Sequence, residues 1–237
     1  MILRVPFKKQ NHSNTCGAAC LEMVLKYYSV NVAEEDIAKE ILIKSPETGR
    51  IYIRTAHLVH YAIVKDFVAI HSCLQNLKDL DKLLRLKTPV IVLQRHSAND
   101  ELWAHFRVVI GIKGNSYIMH DPEIGEKQLM SKKNFGILWK RQPKGENTQG
   151  NLFILIYPKR IKLDYKDFNF DPLLFRKCQN KDCPDPLQKN EPNFKCFSCH
   201  KVFVHEIEGI PFGCPNPECE KKYWLTYHCQ CGHKSMI

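Results

Sequence analysis

Cys16 heads the stretch CGAACLEMVLKYY (16–28), and the polar, turn-forming QNHSNT (10–15) leads into it. A thiol in the first turn of a helix faces free backbone N–H groups and the positive end of the helix dipole. Both favour the thiolate, the nucleophilic form of cysteine, and an adjacent imidazolium favours it further. His105, at the start of WAHFRVVIGI (103–112), is the candidate partner. Asp121 ends SYIMHD (116–121), and KGN (113–115) between the two runs reads as a hairpin turn. Two strands joined by a tight turn return the chain to one end of the sheet. His105 and Asp121 then meet, and the carboxylate orients the imidazole. His120 stands beside Asp121, but strand alternation sends the two side chains opposite ways; Asp121 is taken as the one facing the site. Gly17 leaves the backbone beside the thiol approachable. Cys20, one turn deeper in the helix, reads as packing, and Cys73 has no visible partner.

A second chemistry occupies the other end of the chain. Of 11 cysteines, eight lie from Cys178 onward, in two similar units. The first is Cys178 and Cys183, then Cys196 and Cys199 followed by His200. The second is Cys214 and Cys219, then Cys229 and Cys231 ahead of His233. Zinc takes four soft ligands in a tetrahedron, and a tight cysteine pair on a turn supplies two of them. Two pairs per unit complete a site, so the spacing predicts two structural zinc ions in a double zinc ribbon. Consecutive pairing is the simplest arrangement; interleaved pairing, or a histidine (His200, His205, His228, His233) in place of a cysteine, stays open. So short a segment buries little core, and metal binding is what folds it. Tyr223, Trp224 and Tyr227 read as packing around the second zinc, with a contact surface as the alternative.

The elements that must position these residues follow from periodicity. Helices are expected over 15–28, capped by Thr15 or Asn14, and over 32–42, 53–64 and 76–86. β-rich runs follow at 88–96, 103–112, 116–121 and 151–158. Helices first and strands after predict an α+β fold with an antiparallel sheet packed against a helical part. A polar loop spans 140–150. The domain reading is a catalytic domain over 1–160, a linker over 161–175 and a zinc-ribbon domain over 176–237. The formal charge of +10 falls to roughly +6 if eight thiolates hold two zinc ions, a weak signal for nucleic acid. No run of 18 apolar residues suggests a membrane span, and MILRVPFKKQ is a poor signal peptide. Unpaired cysteines and metal-type spacing fit the cytoplasm or another reducing compartment, a host cytosol included.

Residues 10–28 and 103–122 resemble the papain-like peptidases that process bacteriocin precursors at double-glycine leaders. The resemblance rests on Gln10, on CGAAC at a helix start, on HFRVVIG and on HDP, and it extends over roughly residues 1–157. It implies a papain-like cysteine peptidase fold, with Cys16 as nucleophile, His105 as general base and acid, and Asp121 orienting His105. It also implies an oxyanion hole made by the Gln10 side chain and the Cys16 backbone N–H. This chain departs from those peptidases in two ways: they are joined to membrane-spanning transporters, and they lack paired zinc ribbons. The expected function is therefore a thiol-dependent hydrolase of peptide or isopeptide bonds, with glycine before the scissile bond and zinc ribbons that hold a protein substrate or partner. The same triad also serves a deconjugating enzyme for ubiquitin-like proteins, or an acyl transferase or amidase. A zinc-ribbon binding module without catalysis is the reading from another class.

Overall fold

The segment after Cys16 is apolar on nearly every side. A helix of that kind belongs inside a protein. It forms α1 (Cys16–Tyr27), with every residue from Gly17 to Leu25 buried. The computed structural model describes residues 2–44, 49, 51–53, 55–73, 76–97, 104–140 and 151–161, and the backbone of four short strands between 193 and 236. Contacts divide the chain into two units, Met1–Asp171 and Pro172–Ile237.

In the first unit α1 is followed by α2 (Glu34–Ile41), the two-residue strands β1 (Ile43–Lys44) and β2 (Ile51–Tyr52), α3 (Thr55–Val64), β3 (Phe67–Cys73) and α4 (Leu77–Arg85). Then come β4 (Val90–Arg95), β5 (Ala104–Lys113), β6 (Ser116–Asp121), β7 (Gly125–Ser131), α5 (Lys132–Lys140) and β8 (Leu152–Pro158). Six strands form one antiparallel sheet in the order β3-β8-β4-β5-β6-β7. The α+β expectation, helices with an antiparallel sheet, matches this architecture. The sequence reading did not include β3, β7 or α5.

Each face of the sheet is covered. Ile91, Leu93, Phe106, Val108, Ile110, Ile118 and Ile154 point into a core shared with α1, α2 and α3. On the other face Tyr117 packs on Phe135, and Phe135 on Trp139, both from α5. The Tyr117 hydroxyl also reaches the Leu77 carbonyl and the Asp81 carboxylate of α4.

A bulge controls which residues share a face. From Lys113↔Ser116 to Gly111↔Ile118 the β5–β6 ladder runs in one register, and it shifts by one residue between Val109 and Gly111. In the first register Asp121 would oppose Val108 and point into the apolar core. The extra residue puts His120 opposite Val108 instead, so the continuing register sets Asp121 beside Arg107, on the face that also carries His105. A β-bulge re-aims side chains in this way.

The N-terminal segment lies along the same pair of strands. Ile2 bridges Gly111, and the Leu3 N–H donates to the Ile110 carbonyl. His120 Nε2 donates to the Val5 carbonyl at 2.9 Å, and the Gln10 N–H donates to the Pro122 carbonyl at 2.8 Å. The chain is thus led from the far end of β5 to the end of β6, immediately before the turn that starts α1.

α1 approaches β5 closely because position 17 lacks a side chain. A Cβ there would lie 3.1 Å from the Phe106 ring and 3.3 Å from Ile53 Cγ2. Gly17→Val is expected to lower stability by about 1–3 kcal/mol through overpacking, measured by urea denaturation. An unchanged midpoint would show that α1 has room to shift.

In the second unit β9 (Asn193–Cys196), β10 (Val202–Val204), β11 (Leu225–His228) and β12 (Lys234–Met236) form an antiparallel sheet in the order β10-β9-β11-β12. Each cysteine unit contributes one hairpin, and the two pair through β9 and β11, with Leu225 opposite Cys196. Of the eight expected zinc ligands only the backbone of Cys196 falls within the described residues. Cys178, Cys183, Cys199, Cys214, Cys219, Cys229 and Cys231 lie outside them.

Candidate active site

Cys16 opens α1, half-buried. Thr15 occupies the N-cap position, but its hydroxyl donates to the His12 carbonyl at 2.8 Å and makes no cap bond to the helix. The expected cap is therefore a turn-former for the lead-in, and the first N–H groups of α1 stay open beside the thiol.

His105 stands second in β5, and its side chain is buried. Its Nε2–H donates to Asp121 Oδ1 at 2.8 Å, and Cys16 is near enough to raise the affinity of the ring for its proton. Since Asp121 takes Nε2, the nitrogen left for Cys16 is Nδ1. Three of the sequence-selected residues thus gather in one row. Gln10 enters through its backbone bond to Pro122, next to Asp121, and its Oε1 is buried with no hydrogen-bond partner among the described residues.

Sequence reasoning missed the residue that holds the row in place. Arg107 Nε donates to Asp121 Oδ2 at 2.7 Å, and both side chains are only 2% exposed. Its other nitrogens reach Gln94 Oε1, the Arg95 carbonyl and the His96 carbonyl. Asp121 Oδ1 also accepts the N–H groups of Glu123 and Ile124 at 3.0 and 3.2 Å. The signal was visible: an arginine two residues after His105, on the same strand face, in an otherwise apolar run.

Charge follows from this packing. Burial alone would raise the Asp121 carboxyl, but the bonds from His105, the Arg107 guanidinium and the Glu123 N–H hold it well below the usual carboxylate range. Burial alone would lower His105, yet the bond to Asp121 and the proximity of Cys16 raise it from 6.5 to about 9. His105 is therefore an imidazolium at neutral pH. Its raised value stabilises the fold below about 6.5, and that contribution is lost as pH rises through about 9. Asp121 has the opposite sign: its contribution is present above the ordinary carboxylate value and lost as pH falls through the depressed one.

His120 is excluded from the chemistry by its own bonds. Nε2–H donates to Val5, Nδ1 accepts the Lys127 N–H at 3.1 Å, and the ring packs on Phe7. Burial pushes it below its ordinary value, as suits that neutral tautomer. Cys20 is fully buried, and burial pushes its thiol up, so it stays protonated. Glu34 is a second residue that sequence reasoning passed over. Its carboxylate accepts the Asn11 N–H at 2.9 and 3.1 Å, and its own N–H donates to Glu22 of α1 at 2.6 Å. Two buried carboxylates thus anchor the loop next to Gln10. Among the described residues no three His, Cys, Asp or Glu side chains gather as a metal site, and no helix is long and apolar enough to cross a membrane.

The sequence pattern of the Peptidase C39 family matches residues 4–142, which include Gln10, Cys16, His105 and Asp121. The chain belongs to the Peptidase C39 family. Two Escherichia coli proteins are each 29% identical to it over 126 residues: the probable microcin-H47 secretion/processing ATP-binding protein MchF and the colicin V secretion/processing ATP-binding protein CvaB. The match covers 53% of this chain and 16% of each relative, so the chain spans about a sixth of their length. Among solved structures, the peptidase domain of Streptococcus ComA, a bi-functional ABC transporter involved in a quorum-sensing pathway, superposes with a TM-score of 0.51. Identity there is 22%, over 66% of this chain and all of that domain. A C39-like peptidase from Bacillus anthracis gives a TM-score of 0.55 at 16% identity, over 67% of this chain and 98% of that one. These likenesses establish the shared fold.

Arg107→Met is expected to destabilise this C39 domain by about 3–5 kcal/mol, because it breaks a buried ion pair and removes one of the two counter-charges of Asp121. Replacing both members, Arg107→Met with Asp121→Leu, should recover much of that loss in chemical denaturation. A single variant as stable as the parent would show that the pair contributes nothing.

Proposed function

We propose that this C39 peptidase hydrolyses peptide bonds through a papain-like Cys16–His105–Asp121 triad. The observation that carries the reading is the buried His105, hydrogen-bonded to an Asp121 locked by Arg107 and with Cys16 beside it. Cys16 as thiolate attacks the scissile carbonyl, and the oxyanion is received by the Cys16 N–H and the Gln10 side chain. The uncapped start of α1 supports the first donor, and the family resemblance supports the second. The His105 imidazolium gives its proton to the leaving amine, the acyl group stays on Cys16 as a thioester, and water activated by His105 releases it. Asp121 holds the ring and its charge but takes no proton.

The substrate is a peptide or protein with glycine before the scissile bond. The sequence resemblance to double-glycine peptidases supports the glycine, and the names of the two E. coli relatives, both secretion/processing proteins, support a processing role. The C-terminal unit holds two structural zinc ions on its eight paired cysteines and presents a protein-binding surface. The free thiols and the proposed thiolate-bound zinc support a reducing compartment as the working environment.

Incubation with a complex peptide library and a tagged amine, read by mass spectrometry, tests the reaction. Cleavage after glycine should vanish in Cys16→Ala and fall by about 10²- to 10⁴-fold in His105→Ala. Tagged-amine adducts instead of free acids would reassign the enzyme to acyl transfer. The rate should decline as pH rises through about 9, where His105 loses its proton. A rate still rising beyond pH 10 would remove His105 as the acid. Native mass spectrometry is expected to find two zinc ions per chain, lost together with the fold of the C-terminal unit on chelation. None or one would contradict the paired ribbons.

A further inference from the structure

Glu123 follows Asp121 and Pro122 in the turn between β6 and β7, and the triad as described makes no use of its side chain. Its backbone N–H is fixed on Asp121 Oδ1, which places the side chain beside the site. Its Oε2 lies 2.9 Å from His96 Nε2 and 4.0 Å from His105 Nδ1. His96 in turn sets its ring edge-on to His105 at 5.4 Å. The Glu123 and His96 side chains are 49% and 40% exposed, against 5% for His105 and 2% for Asp121. A carboxylate, oriented by a histidine, thus stands at the open mouth of the site while the triad lies beneath it.

Resting on the reading of Cys16 as nucleophile, we propose that Glu123 is a specificity residue that favours lysine or arginine immediately after the scissile bond and disfavours aspartate or glutamate there. Asp121 occupies His105 Nε2, so the proton for the leaving amine comes from Nδ1. That amine must come within about 3 Å of Nδ1, which puts it at most about 7 Å from the Glu123 carboxylate. An extended lysine or arginine side chain on the leaving residue spans that gap. An acidic one meets a like charge, and repulsion of the wrong partner is half of specificity. His96 keeps the carboxylate aimed at this space instead of bulk water.

The test uses the full chain, with Glu123→Gln and Glu123→Lys beside the parent. In the peptide library the parent should prefer basic over acidic residues after the cleaved bond by about fivefold or more. Glu123→Gln should flatten the preference and Glu123→Lys should reverse it. The same preference in all three proteins would overturn the proposal. So would a uniformly faster Glu123→Gln with unchanged preference, since that outcome makes Glu123 a brake on His105. A second readout does not require peptide cleavage: the rates at which Cys16 reacts with a cationic and an anionic methanethiosulfonate, followed by peptide mass mapping. The cation-to-anion ratio should fall by about threefold or more in Glu123→Gln. If no cysteine-dependent cleavage occurs, the peptidase reading fails while this ratio still decides the role of Glu123. A fall supports charge selection at the thiol, and an unchanged ratio rejects it.

Discussion

A buried ion pair, Arg107 with Asp121, is the constraint on which this domain depends. Taking two charges out of water costs several kcal/mol per ion, and attraction alone offsets that only where the remaining hydrogen-bonding capacity is filled. Here it is filled. Asp121 accepts from Arg107, His105 and two backbone N–H groups. Arg107 donates to Asp121, Gln94 and two carbonyls. The carboxylate therefore stays ionised in a dry place, and a fixed negative charge there keeps the neighbouring imidazole protonated. The electrostatics of the site originate one residue behind it.

Backbone geometry brings these charges together. Without the bulge near Val109, Asp121 would face the apolar core, where no counter-charge waits. The same shift turns His120 toward the N-terminal segment, and its bond to Val5 guides that segment past Pro122 to Gln10. One irregularity in one hairpin thus sets the acid, the strap that carries Gln10 and, through Glu123, the charge at the mouth of the site. α1 brings the thiol from the opposite direction, and Gly17 lets it come close. Glu22 and Glu34 fix the loop between strap and helix from behind.

Much of the site could be read from the sequence, for reasons particular to its residues. Cys16, His105 and Asp121 belong to types whose chemistry is specific, and the hairpin around KGN makes His105 and Asp121 neighbours without any knowledge of the rest. The sequence singled out Asp121 over His120, but not the bulge that decides which face each takes. Arg107 escaped notice because one charge in an apolar strand looks like a strand end or an exposed edge. Glu34 looked like an ordinary acidic first turn, since its role depends on Asn11, 23 residues away. β7 carries charged and half-exposed residues along a sheet edge, so it lacks the clean alternation of a half-buried strand. β3 pairs with β8, far along the chain, and its neighbours gave no hint of a partner. α5 buries only Phe135, Leu138 and Trp139, too few to mark a helical period. The zinc assignment still stands on the cysteine spacing.

The Arg107-locked Asp121 makes His105 a stable imidazolium beside Cys16. An NMR titration of the His105 ring, assigned by its loss in His105→Gln, tests it without any substrate. The midpoint is expected near 9. A midpoint at or below 6.5, the ordinary histidine value, would mean that burial outweighs the carboxylate.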